Sequence, residues 1–187
     1  SYFMQALTCV TAIASGTLSA PFALPSATAL AGAGLCVFSL SQYRWSRHHP
    51  PDPSHSFVFA RIDRNDRLAV VLLVCGLLGG YGLGQVIVHS LLAGPGTDVR
   101  AQFQSGQSLL INGGALLLLY LAMKNRDREL VTVGALVALI GAGKVFILDM
   151  FGIKGVPLVL SVFSTGVVAA FGSVVMGRWA KKEAETA

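Results

Sequence analysis

Long apolar runs alternate with short polar stretches along the whole chain. A helix needs about 20 residues to cross a bilayer, and each apolar run is close to that length. The runs lie at about residues 2–20, 22–42, 68–93, 107–123, 130–150 and 156–177. The pattern predicts an all-α, polytopic integral membrane protein in which one membrane domain, residues 1–187, contains six transmembrane helices.

The boundary between the first two runs rests on two prolines. Pro21 and Pro25 interrupt an apolar stretch that is too long for a single span. Because proline ends or kinks a helix, we expect two helices joined by a tight hairpin here. An alternative stays open, in which one span is preceded by a re-entrant or interfacial segment and the protein has five spans.

Residues 43–67 form the only long polar stretch. Pro50, Pro51 and Pro53 forbid a continuous helix through it, so it is interpreted as a cytoplasmic loop. Basic side chains next to a membrane contact lipid headgroups or a partner protein. The candidate contacts are Arg44, Arg47, Arg61, Arg64 and Arg67.

The distribution of basic residues predicts the topology. The loops at 43–67, 124–129 and 178–187 carry five, three and three Lys or Arg, whereas those at 94–106 and 151–155 carry one each. Basic loops stay in the cytoplasm, so six spans place both termini there, and five spans would move the amino terminus. We expect a bacterial cytoplasmic (inner) membrane as the location.

The composition is that of a chain that is surrounded mainly by lipid and not by water. The chain is 53% hydrophobic and 12% charged, whereas soluble domains carry about 25% charge. The net charge of +5 comes from short clusters between apolar runs. These clusters indicate topology rather than a nucleic-acid surface, so no nucleic-acid partner is expected.

Placing an ionisable side chain inside a membrane-spanning helix costs free energy, so such a residue indicates a candidate functional site. Lys144 and Asp149 lie in the fifth apolar run, and the helical rise of about 1.5 Å per residue places other polar residues at similar depth. The sequence therefore predicts a polar pocket in the non-cytoplasmic half of the membrane. Its candidate members are Lys144, Asp149, Asn112, His89 and Gln85.

The partner of Lys144 is expected on another helix. Residues five apart on an α-helix project about 140° from each other, so Lys144 and Asp149 should be poor partners. Asn112, His89 or a backbone carbonyl at a helix break are the candidates. Lys144 then serves proton or anion handling, or it joins helices through hydrogen bonds, or it meets an acidic group or lipid headgroup of a neighbour.

Small residues recur every four positions in several runs, which is typical of close helix packing in lipid. The packing residues predicted in the third and sixth spans are Gly76, Gly80, Gly84, Ala169, Ser173 and Gly177. These residues join helices either within one subunit or between this chain and another.

The sequence lacks the side-chain sets of a self-contained enzyme. It has no Ser/His/Asp arrangement, phosphate loop or pair of intramembrane carboxylates, and its three cysteines lie in apolar runs without a CxxC motif. We expect no catalytic residues, no metal site, and no cofactor bound by this chain alone. Contact with lipid, quinone or a pigment stays open.

These patterns favour a non-catalytic integral membrane subunit, a scaffold or accessory part of a larger complex. An energy-transducing complex, respiratory or photosynthetic, is the expected setting. Partners are membrane lipids and other membrane subunits, with a hetero-complex favoured over a homo-oligomer. The alternative is a small transporter or channel subunit that uses the polar pocket around Lys144.

Overall fold

The computed structural model describes residues 2–15, 25–49, 69–92 and 99–186, and no strand occurs among them. A π-helical turn, Val145–Asp149, connects α5 to α6. The helices are α1 Tyr2–Ala14, α2 Pro25–His48, α3 Ala69–Leu92, α4 Val99–Asn125, α5 Arg128–Lys144, α6 Met150–Gly152 and α7 Val156–Thr186.

Four stretches among the described residues are long and apolar enough to cross a membrane. They are Ala69–Leu92, Gln102–Asn125, Arg128–Gly152 and Val156–Arg178. The described residues thus form the predicted all-α fold, with four candidate membrane-spanning helices. The six-span count and the position of the termini remain predictions, because α1 has 13 residues and a length of about 20 Å.

Two predicted loops are shorter than expected. Helix α2 continues through Tyr43 to His48, so the polar stretch predicted as a loop from residue 43 begins as helix. Its helical part ends shortly before Pro50, which disfavours helix in the residue that precedes it. Helix α4 already begins at Val99, before the predicted start at residue 107. Arg61, Arg64 and Arg67 lie outside the described residues.

The chain divides into two compact units, an amino-terminal unit, Ser1–His89, and a carboxy-terminal unit, Ser90–Ala187. In the amino-terminal unit, α2 and α3 touch through backbone at Gly32 and Gly79. A Cβ added at Gly32 would lie 2.7 Å from the Gly79 carbonyl oxygen, and one at Gly79 would lie 2.7 Å from the Cys36 nitrogen. Only glycine permits so close an approach.

The predicted packing glycines of α3 differ in how tightly they pack. A Cβ at Gly76 would lie 2.8 Å from the Leu40 side chain, whereas one at Gly80 would make an ordinary 3.4 Å contact with Cys36 Sγ. Gly84 is half-buried. Gly79, which the four-residue spacing did not select, therefore has closer neighbours than Gly76 or Gly80.

The three cysteines are all free. Cys9 and Cys75 are buried together with Leu35 in an apolar cluster of the amino-terminal unit. They pack there as small hydrophobic side chains.

A tight turn joins α4 to α5 in the carboxy-terminal unit. Arg126 has φ 55°, in the left-handed region, and the Asp127 N–H donates to the Ala122 carbonyl at 3.2 Å. The Asp127 carboxylate then accepts from the Glu129 N–H at 2.9 Å and caps α5. The end of α4 and the start of α5 thus each gain a hydrogen bond from Asp127. The turn reverses the chain, so α4 and α5 run antiparallel.

Helix α7 does not use the predicted packing residues inside its own unit. Its buried residues are Ser161, Thr165, Val168 and Val175. The predicted residues Ala169, Ser173 and Gly177 are exposed. A strict spacing of four drifts by about 40° at each step of a helix with 100° per residue, so residues late in the series leave the buried face.

Candidate functional site

Four polar side chains of α4 face the other helices of the carboxy-terminal unit. We call them the polar seam: Gln104, Ser105, Ser108 and Asn112. Gln104, Ser108 and Asn112 are four residues apart and therefore lie near one face of the helix. Ser105, Ser108 and Asn112 are buried. The seam gives α4 hydrogen-bonding groups toward both α5 and α7.

The π-helical turn sets the position of Asp149. The Met150 N–H donates to the Val145 carbonyl, five residues back instead of four. A hydrogen bond between residues five apart brings those two residues to the same side of the helix. In an α-helix, residues five apart point in clearly different directions. Lys144 and Asp149 are five apart, and so the two side chains meet. The expectation that they are poor partners was wrong because it assumed an uninterrupted α-helix.

Lys144 and Asp149 form a salt bridge with 2.9 Å between Nζ and Oδ1. The Lys144 side chain is 13% exposed and that of Asp149 is fully buried. Nζ also donates to Ser108 Oγ at 2.6 Å and to the Gln104 carbonyl oxygen at 3.0 Å. The ammonium group has three protons, and each of them thus has an acceptor.

The carboxylate of Asp149 is equally well bound. Gln104 Nε2 donates to Oδ1 at 3.3 Å, and the Ser108 hydroxyl donates to Oδ2. Ser108 thereby accepts from Lys144 and donates to Asp149, and it connects the two charged groups. The result is a buried, net-neutral network that ties the π turn to α4. Such a network is stable only when all its members are satisfied, as they are here.

Asn112 lies further along the polar seam and binds α7. Its Nδ2 donates to Ser164 Oγ at 2.7 Å and to Thr165 Oγ1 at 3.0 Å. Its Oδ1 is buried and has no hydrogen-bond partner among the described residues. On the α5 side, a Cβ added at Gly141 would lie 2.5 Å from this oxygen. Glycine at position 141 therefore makes room for the amide.

Ser105 connects α4 to the start of α7. Its hydroxyl donates to the Pro157 carbonyl at 2.8 Å, and the Ser161 hydroxyl donates to Ser105 Oγ at 3.1 Å. Together with Asn112, this gives α4 and α7 two separate polar contacts along their shared face.

The structure brings together part of the predicted polar pocket. Lys144 and Asp149 are in direct contact, and Asn112 lies on the same seam but binds α7 instead of Lys144. Gln85 is buried and His89 half-buried on α3, which belongs to the amino-terminal unit. Among the predicted partners of Lys144, the backbone carbonyl is the one that occurs, at Gln104.

Sequence reasoning missed Gln104, Ser105 and Ser108. Residues 104 and 105 lay in a predicted loop, and Ser108 lay in the predicted fourth span without a role assigned to it. The four-residue spacing of Gln104, Ser108 and Asn112 was a usable signal, because it marks a polar stripe that continues into the apolar part of α4.

The basic residues predicted to contact lipid or a partner are described only in part. Arg44 is exposed near the end of α2, and the Arg47 guanidinium lies 5.4 Å from the centre of the Tyr43 ring. No group of three or more His, Cys, Asp or Glu that could hold a metal ion occurs within the described ranges.

Comparison with protein-family models, with curated proteins and with solved structures finds no match to the chain. Function is therefore inferred from the geometry alone.

Proposed function

We propose that the protein is a non-catalytic membrane subunit that packs against another membrane protein through one exposed face of α7. The small face, as we name it, consists of Gly166, Ala169, Ala170, Ser173 and Gly177. All five residues are exposed, and a Cβ added at Gly166 or Gly177 would meet no atom within 4 Å. The small face carries the proposal, because small residues on a helix surface in lipid permit another helix to approach closely.

The polar groups of the carboxy-terminal unit support the same proposal. Each proton of the Lys144 ammonium group and both oxygens of Asp149 have partners within the unit. A pair that is bound in this way stabilises helix packing and leaves little capacity to bind a substrate. This fits a subunit that contributes structure to an assembly.

The experiment compares two glycine substitutions in the full chain. Gly166→Leu adds a large side chain to the small face, whereas Gly113→Leu adds the same side chain at an exposed position of α4 that also has open space around it. After extraction from native membranes in mild detergent, Gly166→Leu should lose its co-purifying partner and Gly113→Leu should keep it. Equal retention by both variants would contradict the proposal.

A photo-crosslinker at Ser173 identifies what covers the small face. A crosslink to a different membrane protein supports the proposal. A crosslink only to a second copy of the chain, to its own residues 1–89, or to lipid contradicts it.

A second candidate function is a small transporter or channel subunit. It is favoured by an intramembrane ion pair on a π turn, because both features are often found at functional sites. In this case the pair must open during each cycle. Lys144→Met should then abolish flux in proteoliposomes while Lys154→Met, at an exposed position, leaves it unchanged. No flux from the unaltered chain on its own would exclude this candidate.

A further inference from the structure

Four exposed basic side chains lie at one end of the carboxy-terminal unit. They are Lys124 at the end of α4, Arg126 in the turn that follows, Arg128 at the start of α5, and Arg178 on α7. Arg128 already has an interaction within the protein. Arg178 Nη1 lies 3.7 Å from Met123 Sδ, although the two residues are 55 positions apart in the chain. This contact places the Arg178 guanidinium beside the α4–α5 turn. We call Lys124, Arg126 and Arg178 the basic end.

The basic end lies where apolar helix stops. Of the candidate spans, one ends at Asn125 and the next begins at Arg128, whereas α7 continues beyond its candidate span and its sequence becomes polar from Arg178 onward. Helices that span a bilayer have their ends at the depth of the headgroups. The basic end is therefore at the depth of lipid phosphates. At the opposite end of the unit, Lys154 lies in the link between α6 and α7.

The backbone of Arg126 is in a conformation that does not suit its side chain. Its φ is 55°, at the helix C-terminal position where glycine or asparagine is favoured. A strained residue of this kind suggests a functional reason for the side chain that is present. The neighbouring Asp127 carboxylate accepts from the Glu129 N–H and so lies against the start of α5.

We propose that Lys124, Arg126 and Arg178 bind the phosphate group of an anionic phospholipid. Arginine presents a planar fork of donors that matches phosphate oxygens in pairs, and lysine adds a compact positive charge. The two guanidinium groups and the ammonium group come from the end of α4 and from α7. They therefore form a site with a defined position, which a general attraction of positive charge to the membrane surface would not give.

The test is a lipid titration of the purified full chain in neutral detergent. Bound phosphatidylglycerol and phosphatidylcholine are counted by native mass spectrometry. The unaltered chain should prefer phosphatidylglycerol, and each basic charge removed should weaken that preference about fivefold. The variants are Lys124→Gln, Arg126→Asn and Arg178→Gln. Arg126→Asn suits the left-handed conformation, so it tests the charge even if another variant fails to fold.

Two controls separate this site from non-specific attraction. Lys154→Gln removes one charge at the opposite end and should leave the preference unchanged, and Arg126→Lys should retain most of it. Inorganic phosphate alone should not displace the lipid, because it lacks the acyl chains that hold the headgroup at this depth.

Three results would overturn the proposal. The first is equal binding of phosphatidylglycerol and phosphatidylcholine by the unaltered chain. The second is a loss with Lys154→Gln as large as that with Arg178→Gln. The third is displacement by inorganic phosphate, which would indicate a soluble anion as the ligand.

Discussion

At the residue scale, the ammonium group of Lys144 donates to three acceptors within the carboxy-terminal unit. Its three acceptors are Asp149, Ser108 and the Gln104 carbonyl, with distances of 2.6–3.0 Å. Removing one member of a buried ion pair leaves the other charge without compensation, and this costs far more than the intact pair contributes. The consequence of a substitution therefore depends on whether one charge or both are removed.

The first prediction concerns this pair. Lys144→Met should lower the free energy of unfolding by about 3–5 kcal/mol, because it leaves Asp149 buried and unpaired. The double variant Lys144→Met, Asp149→Leu should recover most of the loss. Reversible unfolding in mixed micelles measures both values, with the exposed Lys154→Met as the control. If the double variant is as unstable as the single one, the pair is not the source of the effect.

The second prediction compares two glycines of α5. Gly141→Ala should destabilise the protein by about 1–3 kcal/mol, because the new Cβ would lie 2.5 Å from Asn112 Oδ1 and 3.1 Å from Ile111 Cγ2. Gly143→Ala, with no atom within 4 Å, should be neutral or slightly stabilising, since alanine favours helix. Equal effects on thermal unfolding would show that Asn112 moves aside at little cost.

At the residue scale, the sequence predicted that polar residues gather between the helices better than it predicted their contacts. Lys144, Asp149 and Asn112 stood out because polar groups are rare in apolar runs. Their partners depend on the rotation of α4 and on the π turn, which no local pattern encodes. Ser108 illustrates the difficulty, since a serine in a membrane helix is common and its role follows only from its neighbours.

At the level of elements, the α4–α5 turn is held by hydrogen bonds to both of the helices that it joins. The Asp127 N–H closes the end of α4, and the Asp127 side chain caps the start of α5. Between them, Arg126 takes the left-handed conformation, which costs a residue with a Cβ about 1–2 kcal/mol. Glycine at this position would avoid that cost but lose more chain entropy on folding.

The third prediction follows from this conformation. Arg126→Gly should raise the free energy of unfolding by up to about 1 kcal/mol when measured in neutral detergent without anionic lipid. Lys124→Gly is the control, because that residue lies within α4, where glycine should cost about 1 kcal/mol. A loss of stability with Arg126→Gly would mean that its side chain makes contacts that outweigh the strain.

Helix boundaries were predicted well where apolar composition alone decides them. Helix α3 and the helical stretch from α5 to α6 lie close to the predicted runs. Helix α4 was placed too short, because Gln104 and Ser105 were counted as loop residues. Their polar groups are satisfied by α7 and the π turn, so tertiary contacts allow helix in a segment whose composition favours a loop.

On the scale of the whole molecule, the apolar runs identified the class of protein, and the number of spans stays open. In the carboxy-terminal unit, three candidate spans are joined by short links, and we expect successive links on opposite sides of the membrane. The side that holds the basic end should be cytoplasmic by its positive charge.

The fourth prediction tests this arrangement with single cysteines in a background that lacks Cys9, Cys36 and Cys75. A membrane-impermeant maleimide should label Arg126→Cys and Arg178→Cys from the cytoplasmic side and Lys154→Cys from the opposite side. Labelling of all three from one side would contradict the three-span arrangement of residues 102–178.

The π turn also has a consequence for length variation between related chains. A π turn contains one residue more than the α-helical turn that would replace it. Deleting one exposed residue of the turn, such as Ile147, would leave Lys144 four positions from the aspartate, which is the spacing of neighbours on an α-helix. A chain one residue shorter could thus keep the same ion pair, whereas a deletion in the middle of α5 would rotate every residue beyond it away from its partners.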